Sequence, residues 1–275
     1  MSGPGLKLGI TLPSFREDAG PSLAVAAAAE ASGLDGVFAY DHLFRRDAAG
    51  NRRPALEMFA LMGAVASATE RIAVGSLVAR ATLRPYATLA HGFDTLARIL
   101  GPDRLLVTIG AGDAQSREEN ESFGLEFGTL DERLRALRDA VDEVRDRGYP
   151  VWVGGTLAAV REVAGAHADG WNRWGAGIER FREQAGELRS GAARNPFTVS
   201  WGGLVVVADD DAAAEAKAAR LGAGDSVIVG GPARVAQVLR EYVGAGAEWL
   251  MLGPIDSSDP DNARILGEEI LPRLR

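Results

Sequence analysis

The chain has 275 residues, 47% of them hydrophobic and 25% charged, which suits one large packed core and argues against a disordered or low-complexity polypeptide. A formal net charge of −8 argues against a nucleic-acid surface, and the absence of cysteine excludes disulfides, thiolate metal sites and cysteine nucleophiles. No apolar run reaches bilayer-spanning length and the N-terminus MSGPGLKLGI lacks a basic segment followed by an apolar one, so a cytoplasmic protein without a membrane partner is expected.

Short apolar, β-branched runs alternate with helical patterns along the chain. The strands LKLGITL (6–12), GVFAY (36–40) and RIAVGSLV (71–78) come first, followed by a helix over 86–100 with Leu89, Phe93, Leu96 and Leu100 on one face. RLLVTIG (104–110) is the fourth strand. Over 129–147, Thr129 and Glu132 form a capping-box pattern, Leu130, Leu134, Leu137, Val141 and Val144 recur at helical spacing, and Gly148 ends the helix. PVWVGG (150–155) leads into a helix beginning near Leu157, and GWNRW (170–174) and TVSWGGLVVV (198–207) are the sixth and seventh strands. The run DDDAAAEAKAAR (209–220) reads as a solvated helix with acidic residues at its N-terminus. Pro232 opens a helix carrying Val235, Leu239 and Tyr242, and WLMLG (249–253) is the eighth strand.

Eight strands in this rhythm with no dividing linker predict an α/β fold, a single (β/α)8 TIM barrel spanning residues 1–275. Chemistry in such barrels sits where strands end. Asp41 and His42 follow the second strand, Arg80 the third, Gly110 to Asp113 the fourth and Gly154 to Thr156 the fifth, while Asn172 and Trp174 close the sixth. His42 is the best single candidate, because imidazole alone titrates near neutrality without help. The GAGD segment also reads as a tight turn, GGT as a plain strand-to-helix turn, and Trp171 and Trp174 as core residues, with Trp174 better placed for a ligand. His91 and His167 read as structural or exposed. No two histidines stand at ligand spacing, so no metal is expected, and neither lysine, Lys7 or Lys217, is placed for Schiff-base chemistry.

The segments AEASGLDGVFAYDH, ATERIAVGSLVARATLRPYATLAHGFDTLARI, GPDRLLVTIGAGD, PVWVGGT, AHADGWNRW and VGGPARVAQVLREYVGAGAEWLML, in that order, resemble the luciferase-like monooxygenase superfamily, and within it the branch that uses coenzyme F420, a deazaflavin. The resemblance implies an F420-dependent oxidoreductase that transfers a hydride to or from a small organic substrate. FMN with monooxygenase chemistry is the alternative, and a catalytically inactive flavin- or deazaflavin-binding barrel the second. It places Asp41 and His42 beside the reactive ring, lets Asp113 share proton transfer, and sets a non-proline cis peptide near Ser76, Leu77 and Val78, against which the ring packs. Cofactor contacts are implied for Asp41, Ser76, Leu77, Val78, Arg80, Gly110, Gly112, Ser116, Gly154, Gly155, Thr156, Asn172 and Trp174. The anionic part of the coenzyme is expected at the helix N-terminus after Gly155, near Arg80, Arg161 or Arg173, because a protein of net charge −8 must supply positive potential locally. Two departures stand out: LGPDR replaces a Ser-x-Gly-Arg turn before the fourth strand, and Leu157 takes the place of a small hydroxyl residue. A small-molecule substrate is expected, with no nucleic acid, and a homodimer is compatible with the resemblance.

Overall fold

The eight apolar runs are too short and too rich in β-branched residues to form helices, and each is bounded by glycine or polar residues, so they pair side by side. In the computed structural model, which describes residues 5–47, 49–113 and 116–275, they form β1 (Lys7–Thr11), β2 (Gly36–Ala39), β3 (Ala73–Ser76), β4 (Leu105–Gly110), β5 (Val151–Gly154), β6 (Gly170–Trp174), β7 (Thr198–Val207) and β8 (Trp249–Pro254). All neighbouring pairs are parallel. β1 lies between β2 (Ile10 opposite Val37) and β8 (Ile10 opposite Leu252), and β6 to β7 (Val199 opposite Trp171) closes the ring as an eight-stranded TIM barrel.

The helices cover the outside: α1 (Gly20–Ala31), α2 (Met58–Ala68), α3 (Tyr86–Leu100), α4 (Ser116–Ser122), α5 (Leu130–Asp146), α6 (Ala158–His167), α7 (Ile178–Gly191), α8 (Asp211–Leu221) and α9 (Pro232–Gly244). α3 buries Leu89, Phe93, Leu96 and Leu100, the face set by its sequence. In α5 the Thr129–Glu132 capping box is formed and Leu134, Leu137, Val141 and Val144 are buried. Leu130 departs from the expected face. It occupies the first helical position and stays 39% exposed. Among the described residues no helix is long and apolar enough to cross a membrane.

Inside the barrel a second, smaller core of Phe38, Leu77, Trp152 and Met251 is backed by Val78, Leu106, Trp174 and Trp249. Trp249 meets Phe38 edge-on at 5.9 Å and Trp152 at 6.0 Å. These rings fill the lumen, which leaves chemistry to the C-terminal rim.

Four features go beyond the eight expected strands and the helices between them. A hairpin pairs Phe44–Arg46 with Arg52–Pro54, and Ile228–Gly230 extends the sheet beside the end of β7. The third strand is interrupted after Ser76 by the cis peptide Leu77–Val78, after which Ala79–Arg80 pairs with Ile109–Gly110. The fourth feature is α4, on which the rim chemistry depends.

Candidate active site

Beyond β2 the chain crosses the rim as Tyr40-Asp41-His42. Asp41 is 2% exposed and accepts three hydrogen bonds: Arg80 N (2.8 Å) and Arg84 Nη1 (2.8 Å) on Oδ2, and Arg84 Nη2 (3.1 Å) on Oδ1. It therefore ties the loop after β2 to the loop after β3. Arg84 continues to Glu57 at 2.5 Å, where the outermost charge meets solvent.

His42 is 30% exposed at its side chain, and its Nδ1 lies 2.7 Å from Oε1 of Glu119 in α4. The other carboxylate oxygen accepts Leu43 N (2.8 Å) and Arg80 Nη2 (3.1 Å). Burial pushes the Glu119 carboxyl up, but the hydrogen bond and charge of His42, the Leu43 N–H and the Arg80 guanidinium outweigh it and hold the group below the ordinary carboxylate value. Arg80 is 3% exposed, and each of its side-chain nitrogens has a protein acceptor: the Asp41 carbonyl at 2.7 Å, Asn120 Oδ1 at 3.3 Å and Glu119. Burial draws its pKa down while Glu119, Asp41 and Asp113 draw it back up. With an acceptor on every side-chain nitrogen, Arg80 frames the site.

The short helix α4 is fastened at both ends of this network. Asn120 is fully buried and donates to the carbonyls of Thr82 and Glu126, while Glu118 pairs with Arg46 and Arg52 of the hairpin. The hairpin arginines hold the Glu118 carboxyl down at about 2.

An aromatic rim stands beside His42. Phe15 stacks on Tyr40 at 5.8 Å and lies 5.5 Å from the His42 ring, and Tyr40 meets Trp174 edge-on at 6.4 Å. Val78, within the cis-peptide segment, is only partly buried, whereas Ser76 and Leu77 beside it are enclosed. Ser76 Oγ donates to the Thr108 carbonyl at 2.8 Å and accepts Thr108 N at 3.0 Å, stapling β3 to β4.

Gly110 and Gly154 have a packing reason. A Cβ at either would come within 2.5 Å of a Val78 methyl, so Val78 fills the space that those glycines leave. Gly112 has a φ of +73°, the left-handed backbone that glycine adopts without strain. Asp113 follows, and its Oδ1 accepts both the N–H and the Oγ–H of Ser116 at 3.0 Å, so this carboxylate opens α4. Asn172 is 2% exposed and donates to Ser200 Oγ (3.0 Å) and Met251 Sδ (3.3 Å), which places its side chain in the barrel lumen.

Across the barrel, Arg173 of β6 gathers with Arg161 of α6 and Arg180 of α7. Arg173 is 6% exposed; it donates from Nε to Gln184 (3.1 Å) and from Nη1 to the Trp174 carbonyl (2.6 Å). Among the described residues no carboxylate makes an ion pair with Arg161, Arg173 or Arg180. Burial, with the charges of Arg180 and Arg161, draws the Arg173 pKa down. A groove of about 680 Å³ beside them is lined by Arg161, Arg180, Gln184, Glu179, Glu183 and Glu187. Arg161 donates to the Thr156 carbonyl at 2.9 Å, and Gly155 to Leu157 lead into α6, where Leu157 at the capping position satisfies no N–H with its side chain.

The structure thus brings Asp41, His42, Val78 and Trp174 to one rim, while Arg161 lies in α6 and Arg173 in β6, its side chain reaching Gln184 of α7. His91 is exposed on α3, and His167 pairs with Asp142 at 3.0 Å. Glu119 had no mark in the sequence: the segment SREENES that carries it lacks the apolar repeat of a helix.

A closed parallel barrel with a titratable, partly polar C-terminal rim defines the class of the protein, a TIM-barrel protein with an enzyme-like site. The chain belongs to the luciferase-like monooxygenase family, which it matches over residues 6–227. It is 34% identical over 144 residues to the F420-dependent glucose-6-phosphate dehydrogenase of Beutenbergia cavernae, a match covering 51% of this chain and 41% of that protein. To the protein of the same name from Mycobacterium avium it is 30% identical over 203 residues, 64% of this chain and 60% of the other. The matched segments thus span between two fifths and three fifths of those relatives. An F420-dependent secondary alcohol dehydrogenase, solved with an F420-acetone adduct, superposes with a TM-score of 0.81 at 18% identity, covering 98% of this chain and 99% of that one.

Proposed function

We propose that the protein is an F420-dependent oxidoreductase in which His42 exchanges the proton that accompanies hydride transfer to or from a small organic substrate. The observation that carries this reading is the placement of His42: a partly exposed imidazole at the end of β2, fixed by a buried carboxylate and set beside the aromatic rim. Its Nε2 has no hydrogen-bond partner among the described residues, so it is free to meet a substrate.

The residues suit a deazaflavin with an anionic tail. Val78, flanked by Gly110 and Gly154, offers an apolar surface for a flat ring, and Trp174 borders it. Arg173, nearly buried and without an ion pair among the described residues, offers positive charge together with Arg161 and the uncapped start of α6. When bound, a deazaflavin supplies a carbon that accepts or donates hydride and, lacking the flavin nitrogen there, disfavours oxygen activation. The chain's own part is to hold the ring and tail, shield the reacting carbon and move one proton through His42. The names of the relatives support the same coenzyme, and glucose 6-phosphate and a secondary alcohol are the first substrates to assay.

The test is a spectroscopic titration of the purified protein with F420 and with FMN, followed by turnover assays. Micromolar or tighter F420 binding with much weaker FMN binding is expected. Equal or reversed affinities move the protein to the FMN-dependent monooxygenase reading, and F420 binding without turnover of any substrate leaves an inactive binding barrel.

A further inference from the structure

Glu119 reaches the rim on α4 and is 5% exposed, with both carboxylate oxygens engaged. Oε1 meets His42 Nδ1 at 2.7 Å, while Leu43 N and Arg80 Nη2 fix Oε2 at 2.8 and 3.1 Å. An ionised carboxylate only accepts, so Nδ1 has to carry the hydrogen. Leu43 is the residue next to His42, so one carboxylate grips both the ring and the backbone that carries it. Arg80 donates in turn to the Asp41 carbonyl, the residue on the other side of His42. The imidazole is therefore held from its own ring and from both neighbouring residues.

We infer that Glu119 is a positioning residue that fixes His42 in the Nδ1–H tautomer and leaves the Nε2 lone pair as the single basic atom offered to the substrate. This rests on the proposed role of His42 in proton exchange. In the complementary protonation state both nitrogens carry hydrogen, Glu119 keeps the Nδ1–H, and the Nε2–H is the proton to be returned. The same atom gives and takes, and the ring does not turn between the two steps.

Nitrogen-15 NMR of protein labelled at histidine reads the tautomer directly, and the chain has only three histidines to resolve. The His42 signals are those missing from His42→Asn, and spectra are taken at alkaline pH, where the imidazole is neutral. In the wild-type protein His42 should show Nδ1 protonated and Nε2 unprotonated, even without coenzyme; in Glu119→Gln, which keeps the shape but no longer obliges Nδ1 to donate, that preference should be lost. An Nε2–H tautomer or an even mixture in the wild-type protein overturns the inference, whether or not the variant folds. So does an unchanged tautomer in a folded Glu119→Gln. A parallel assay separates this inference from the function on which it rests. Glu119→Gln should lose about 10- to 100-fold in turnover, a range borrowed from groups that orient metal-bound histidines, with F420 affinity unchanged. The expected tautomers with unchanged turnover would uphold the positioning and refute the role of His42 in the reaction.

Discussion

The two sides of the barrel rim handle charge in opposite ways. After β2, β3 and β4 the charges around His42 are paired: Asp41 with Arg84, Glu119 with Arg80 and His42, and Arg84 with Glu57. In β6, Arg173 is nearly buried with a glutamine and a carbonyl as its acceptors among the described residues, and Arg161 and Arg180 stand near it. A buried charge without a partner is unfavourable in an apolar surrounding. Under the proposed function, the difference assigns the first side to orienting reacting groups and the second to receiving an anion.

The largest effect expected from breaking this contrast is on reaction rate. His42→Asn keeps much of the shape and removes the titrating ring, so turnover of whichever substrate the assays identify should fall by about 10²–10⁴-fold, with F420 affinity little changed. Asp113→Asn is the control for the first side, since Asp113 opens α4 through Ser116. If Asp113→Asn loses turnover and His42→Asn does not, the proton role passes to Asp113.

The framework side should also be the side on which single charges matter to folding. Asp41→Ala leaves Arg84 and the Arg80 backbone N–H without their buried acceptor, and denaturant unfolding should show a loss of about 3–5 kcal/mol. Arg173→Gln removes a charge that makes no ion pair among the described residues, and it should leave stability nearly unchanged or raise it slightly. A loss as large as that of Asp41→Ala would mean that Arg173 has a partner after all.

Acid dependence gives a smaller effect with a definite sign. Glu119 titrates below the ordinary carboxylate value of 4.5 in the folded protein, so its contribution is fully present above that value and is lost as pH falls through the lower, folded one. Stability measured from pH 6 downward should therefore fall more steeply below about 4.5 in the wild-type protein than in Glu119→Gln. Parallel curves for the two proteins would contradict the depressed pKa.

The smallest effect concerns the start of α6. Leu157 is 52% exposed at a position where serine accepts an N–H, so Leu157→Ser should stabilise the protein by about 0.5–1 kcal/mol, read from unfolding midpoints. It should also weaken anion binding slightly, because the serine hydroxyl competes for the same N–H groups.

Much of the barrel is legible in the sequence because period and boundary residues are local signals. All eight barrel strands lie within or around the apolar runs, and the α5 cap is written in Thr129 and Glu132. The rim is less legible. SREENES has no apolar repeat, because α4 is held by ion pairs and buried asparagine contacts made far away in sequence. FRR and RRP pair as a polar hairpin with no alternating pattern to announce it. A list of residues at strand ends can include Asp41, His42 and Arg80, but it cannot say that Arg80 is enclosed by Glu119, Asn120 and Asp41, or that Asn172 faces Ser200 and Met251. Those facts depend on which strand ends meet and on what lies beneath them.

The central claim, that one side of the rim is complete and the other is built to receive an anion, is tested most directly by the salt dependence of F420 affinity in the wild-type protein and in Arg161→Gln/Arg173→Gln. Wild-type affinity should weaken as salt rises. The double variant should bind about 10- to 100-fold more weakly at low salt, as expected for losing a charge-assisted hydrogen bond, and its dependence on salt should be much shallower. Equal affinity for the two proteins, or wild-type binding that ignores ionic strength, would contradict the account.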